Sequence, residues 1–152
     1  MSKLSKAGIG FHGLVDSLST LLQEWHPPVL KTETDYSKAL AEYLRLALPE
    51  DAQVEREYRH EGTTCDVCVR YKGLLGGTSL VLCEVKRNLQ KKSDYDRLVG
   101  QVEGLRPKKN NVIVVLVGDT DRALLGRLRD QFKQYVDGTL GEGETFRIVV
   151  VA

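Results

Sequence analysis

Glu84 and Lys86 end the run Leu80-Val81-Leu82-Cys83-Glu84-Val85-Lys86, which is otherwise apolar and reads as a core strand. Side chains two apart in a strand share a face, so these two opposite charges are neighbours and Val85 points the other way. Charges taken out of water are costly unless they are paired or hold a metal. The pair is therefore either a structural ion pair or part of an active site. An acidic-x-Lys match is expected about once by chance in a chain of ordinary charge content, so the weight lies in what surrounds it.

Asp66, in the β-prone run Cys65-Asp66-Val67-Cys68-Val69-Arg70, is the nearest partner. The intervening residues 71–78 carry Gly73, Gly76 and Gly77 and read as a turn. A hairpin closed around Leu75 sets Asp66 directly opposite Glu84, with Cβ atoms roughly 4.5–5.5 Å apart. A slip of one residue would separate them to opposite faces. Two carboxylates this close repel unless a cation lies between them. Few protein ligands and room for water suit Mg²⁺, with Mn²⁺ as its substitute, held by Asp66, Glu84 and the backbone carbonyl of Val85. Such an ion polarises a phosphoryl oxygen and makes a bound water more acidic. Lys86 alongside could steady the attacking water or the charge that develops on the phosphate. This is equipment for phosphodiester hydrolysis.

Two helices must flank these strands. Residues 35–48 have helical periodicity, with Thr32 or Thr34 as N-cap and an apolar stripe through Ala39, Leu40, Tyr43, Leu44 and Ala47. Glu42 sits at the border of that stripe. Residues 93–105 form a second such helix, capped by Ser93, with a stripe through Tyr95, Leu98, Val102 and Leu105 and Gln101 at its edge. Residues 53–59 alternate as a first strand, and residues 112–117 are a continuous apolar run typical of a central parallel strand. Before this core, residues 8–25 form an apolar helix stopped by Pro27-Pro28. It either packs on the domain or makes a homodimer contact. After the core, Gly118-Asp119-Thr120 opens a helix through about Tyr135, then a glycine-rich turn (138–143) leads to a last strand over residues 146–151.

The order helix with Glu42, strand, strand with Asp66, strand with Glu84-Val85-Lys86, helix with Gln101, strand resembles the PD-(D/E)XK nuclease superfamily over roughly residues 34–118. Small stand-alone members of that superfamily include Holliday-junction resolvase-like nucleases. The resemblance implies the restriction-endonuclease-like fold and a Mg²⁺-dependent endonuclease acting on DNA. It assigns metal binding to Glu42, Asp66 and Glu84, assistance of the water to Lys86, and completion of the site to Gln101. Cys65 stands where some members have Pro, so the match lies in element order more than in any one motif.

One domain over residues 1–152 is expected, with 1–28 as an added N-terminal helix, 34–118 as the core and 119–152 as a C-terminal helix and strand. The fold class is α/β: a central mixed sheet, its first three strands antiparallel, with helices on both faces. The start of the chain has no signal-peptide core and no apolar run approaches a membrane span, so a cytoplasmic protein with no membrane partner is expected. A net charge of +1 does not by itself mark a nucleic-acid binder. Between Glu84 and Lys109, however, eight Lys or Arg face four acids. Arg87, Lys91, Lys92, Lys108 and Lys109 are the candidates for contacts to DNA phosphates; the bland alternative is a solvated surface. Cys65-x-x-Cys68 has zinc-ligand spacing, but in a regular strand the two thiols face opposite sides, and zinc is not expected. The rival function is a catalytically inactive module of the same fold that binds DNA or a protein partner.

Overall fold

Apolar periodicity changes along the chain from helical to strand-like and back, and the elements follow it. The computed structural model describes residues 9, 13–60, 62–73, 77–105, 111–133 and 145–151. Helix α1 (Leu14–Gln23) buries Leu14, Leu18, Leu21 and Leu22, the i, i+4, i+7 stripe that makes a helix dock on a sheet. Pro27 and Pro28, which cannot continue a helix, follow it. Helix α2 (Glu33–Ala47) starts where Thr32 Oγ1 accepts a hydrogen bond from Asp35 N at 3.0 Å. That cap puts Glu33 at the first helical position, two residues earlier than the predicted start.

Strands β1 (Gln53–His60), β2 (Thr63–Lys72) and β3 (Thr78–Arg87) run antiparallel. Helix α3 (Lys92–Leu105), strand β4 (Asn111–Val117), helix α4 (Arg122–Gln131) and strand β5 (Thr145–Val150) complete the order. The sheet order is β1-β2-β3-β4-β5, with β4 and β5 parallel to β3. The fold is thus α/β with a five-stranded mixed sheet, as expected. Helices α1 and α2 cover one face; α3 and α4, each crossing over between parallel strands, cover the other. Tyr95, Leu98, Val102 and Leu105 are the buried stripe of α3, as its spacing predicted. Each fully buried leucine of this kind contributes roughly 1.5–3 kcal/mol through removal from water.

Several boundaries differ from the sequence reading. Ser93 lies inside the first turn of α3, which begins at Lys92. Asp121, not Gly118-Thr120, caps α4, its Oδ1 accepting from Leu124 N at 3.0 Å. The turn at 138–143, Lys108 and Lys109 lie outside the described residues. Among the described residues no helix is long and apolar enough to cross a membrane.

The register of the central hairpin is the one a turn at Leu75 implies: Val67 pairs with Cys83, Val69 with Val81 and Tyr71 with Ser79. Above Val67 the ladder stops. On the other side of β2, pairing runs from Gln53–Arg70 to Arg56–Val67, omits Glu57 and Asp66, and resumes at Tyr58–Cys65. Glu57 has a φ of 53°, in the left-handed region that a non-glycine residue enters only at a cost. This break turns Cys65 onto the same face as Cys68, in the core under α3 and α4, where strict alternation separates them. Cys65 Sγ donates instead to the carbonyls of Val67 (3.0 Å) and Cys83 (3.3 Å). All three cysteines are free, buried thiols, and burial pushes Cys68 up to about 12.

Candidate active site

Asp66 occupies the gap in both ladders. With its backbone released from strand pairing there, its carboxylate takes over: Oδ2 accepts the Val85 amide at 2.8 Å. That bond ties the broken part of β2 back to β3 and aims Asp66 at the end of the strand. Glu84 is the residue facing it. It is 2% exposed, and its Oε2 has no hydrogen-bond partner among the described residues. Burial, then a hydrogen bond to Asp66, then the negative charges of Asp66 and Glu33 push its carboxyl from the ordinary 4.5 up to about 10. All of these causes favour the protonated form of Glu84.

Lys86 is two residues further along β3, with its side chain only 12% exposed. Its ammonium does not pair with Glu84. Nζ lies 3.0 Å from Glu33 Oε2 and 3.7 Å from Asp94 Oδ1. The same Glu33 oxygen accepts the Arg87 amide at 2.9 Å. Glu33 and Asp94 each stand in the first turn of a helix, α2 and α3, where the helix dipole favours a negative charge. The two helices come from opposite faces of the sheet, so Lys86 is the point at which both layers meet the end of β3.

The structure brings Asp66, Glu84 and Lys86 together as the sequence implied, and it leaves others apart. Glu42 is exposed; nine residues from Glu33, it points about half a turn away and about 13 Å further down the helix axis. Glu33 is the helix carboxylate that reaches the site. Gln101 is exposed too, seven residues and so about 10 Å along α3 from Asp94, and it makes no hydrogen bond to a site side chain among the described residues. Val85 contributes its amide, to Asp66. Arg87 is half-buried and braced, Nε donating to the Leu30 carbonyl at 3.2 Å. Lys91 and Lys92 are exposed at the start of α3, and Lys92 lies 4.0 Å from Asp96.

Glu33 and Asp94 were not singled out by sequence reasoning. A signal for Glu33 existed: with Thr32 as N-cap, the next residue is the first of the helix and its acid belongs at that end. Asp94 gave none beyond being acidic near a helix start.

A divalent cation fits what is present. Asp66 and Glu84 offer oxygens at one point, one of them unpartnered, and the pair is short of positive charge. No third His, Cys, Asp or Glu completes a ready-made ligand cage among the described residues. Mg²⁺, which keeps most of its waters, needs only one or two carboxylates. No family model matches the chain, and neither a curated protein nor a solved structure matches it.

Proposed function

We propose that this protein is a divalent-metal-dependent endonuclease that hydrolyses DNA phosphodiester bonds at the end of β3. The observation that carries the reading is the Asp66–Glu84 pair: two opposed carboxylates, one deeply buried with an oxygen that has no hydrogen-bond partner among the described residues, and a lysine ammonium anchored next to them. A purely structural ion pair would couple Glu84 to Lys86, whereas here Lys86 is engaged by Glu33 and Asp94. Asp66 and Glu84 would hold Mg²⁺, with Glu33 as the adjoining helix carboxylate. The ion supplies Lewis-acid charge at a phosphoryl oxygen and lowers the pKa of bound water. Lys86 donates to the phosphate as charge builds on it, from a site whose buried position strengthens the interaction. Val85 N–H fixes the Asp66 carboxylate, so little of the site must reorganise. The arrangement is the one the resemblance to PD-(D/E)XK nucleases implies, with Glu33 in the place first given to Glu42. Lys91, Lys92, Lys108 and Lys109 are proposed to grip phosphates on either side.

The test is cleavage of linear, single-stranded and branched DNA in Mg²⁺, Mn²⁺ or EDTA, beside filter binding in EDTA. Lys86→Ala should abolish cleavage and keep affinity, because it removes a charge that acts on the transition state. Glu33→Gln should slow cleavage by about 100-fold or more, the usual scale for losing one such electrostatic group, and Glu42→Gln should leave it unchanged. Wild type that binds DNA without nicking it favours the inactive binding module. Wild type that neither binds nor cuts removes the nuclease reading.

A further inference from the structure

Lys86 has two carboxylate partners, and they are not equivalent. Glu33 is the nearer at 3.0 Å, and its charge is felt by Glu84. It belongs to α2, on one face of the sheet. Asp94, at 3.7 Å, comes from α3 on the opposite face of the sheet. Among the described residues Lys86 is the one charged partner of Asp94. Glu33, in contrast, carries two donors on one oxygen, Lys86 Nζ and Arg87 N.

A cation held by Asp66 and Glu84 would attract Glu33, the helix carboxylate at the end of β3. Were Glu33 to turn toward such an ion, Lys86 would lose its closest partner. An ammonium with a long flexible stem does not stay in place unaided. Asp94 needs to move by less than 1 Å to turn an ion-pair distance into a hydrogen bond of about 2.8 Å. We propose that Asp94 is a positioning residue for Lys86: it shares the ammonium with Glu33 and would hold it at the end of β3 should Glu33 be drawn to a bound cation. The inference rests on the nuclease reading above and adds a residue that reading does not use.

Asp94 is part-exposed, and ion pairs of that kind add little to stability, so its loss should show in turnover and not in folding. The experiment uses the full chain. With Mg²⁺ and a cleavable DNA, Asp94→Asn should lower kcat by about 10- to 100-fold, as expected for a catalytic group misplaced by an ångström or so. KM should stay within about 2-fold, since uniform binding is untouched. Asp94→Glu should recover most of the rate, and thermal midpoints should agree within about 3 °C. A second readout is independent of activity: the ¹H–¹⁵N signal of the Lys86 ammonium, assigned with Lys86→Arg. It should persist in wild type with and without Mg²⁺, whereas in Asp94→Asn it should vanish when Mg²⁺ is added. Asp94→Asn that keeps both the wild-type kcat and the signal in Mg²⁺ overturns the inference and leaves the nuclease reading standing. Wild type that cuts no DNA in any metal overturns that reading, and the inference with it.

Discussion

The C-terminal ends of β3 and β4 lie side by side, Arg87 paired with Val117, and each feeds a helix on the same face of the sheet. At the end of β4 the polar groups answer one another locally. Gly118 takes a φ of 73° and the chain folds back so closely that Asn88 Oδ1 accepts the Asp119 amide at 2.8 Å. Asn88 N donates to the Val117 carbonyl, Asp121 N to the Leu89 carbonyl, and Gln90 Nε2 to the Asp119 carbonyl. One hydroxyl there, Thr120 Oγ1, has no partner among the described residues. At the end of β3 one carboxyl oxygen, Glu84 Oε2, has no partner among the described residues, and the partners of Lys86 come from helices on opposite faces of the sheet. An unpaired hydroxyl costs about 1–3 kcal/mol; a buried carboxylate costs far more and takes up a proton instead. Polar residues at a strand end are common to both regions. What separates a candidate site from a well-made loop is the charge left unbalanced.

Substitutions at the two ends should therefore shift stability in opposite directions, and the largest shift belongs to Glu84. Burial and the neighbouring Asp66 raise its pKa in the folded protein from the ordinary 4.5 up to about 10. Between those values folding takes up a proton, so stability falls as pH rises through the window. Glu84→Gln mimics the protonated acid and has no such dependence. In EDTA it should raise the thermal midpoint on the order of 10 °C at pH 8, and by less at pH 5. Saturating Mg²⁺ should reverse the order, because only wild type can exchange its proton for the ion. Thermal scans across pH with and without Mg²⁺ provide the measurement. A gain that does not change with pH would mean Glu84 holds no extra proton, and the contrast between the strand ends would lose its basis.

Gly118→Ala should act the other way. A left-handed φ strains any L side chain, and a Cβ at that position would collide with the Asn88 carboxamide. The loss should be about 2–3 kcal/mol in urea unfolding, with cleavage per folded molecule unchanged. If cleavage also falls, the β4 loop is part of the site and the two ends are one functional unit.

Much of this was legible in residue types and spacing. The helical stripe of α3 and the apolar run of β4 predicted their own burial, because local periodicity and packing agree there. The hairpin register followed from three glycines and two β-prone runs, and it placed Asp66 beside Glu84. Long-range partners were harder. Glu33 meets Lys86 across 53 positions of sequence, and its reach depends on a cap one residue wide. Choosing Thr34 over Thr32 would have left it outside the helix. Glu42 and Gln101 were drawn in by their place at the edge of an apolar stripe, but edge residues face solvent unless something docks on them. The reversal at Glu57 left no trace, because the alternation of Val54, Arg56 and Tyr58 reads as an unbroken strand.

Glu57 offers the finest test of the comparison, since it and Asn88 are both non-glycine residues with a positive φ, 53° and 52°. Asn88 is suited to that conformation: its short side chain tolerates it and closes a hydrogen bond to Asp119 N. Glu57 has no such compensation. Its carboxylate is 72% exposed and, among the described residues, reaches the neighbouring Arg56 alone, at 3.5 Å. The strain at Glu57 therefore sits directly across from Asp66, where it keeps the strand from pairing and frees Asp66 to take the Val85 amide. Glycine adopts the same φ without strain, which recovers about 1–2 kcal/mol, and gives back about 0.5–1 kcal/mol through the more flexible unfolded chain. Glu57→Gly should thus stabilise the protein by roughly 0.5 kcal/mol and leave the break, Asp66 and cleavage in place. Asn88→Gly should destabilise by about 1 kcal/mol, because the Asp119 amide loses its acceptor. Urea midpoints of the two variants, run together, decide between stored strain and a satisfied turn. Destabilisation of equal size in both would show that the Glu57 carboxylate holds the strand in place, and that the bend beside Asp66 is built by contacts and not by strain.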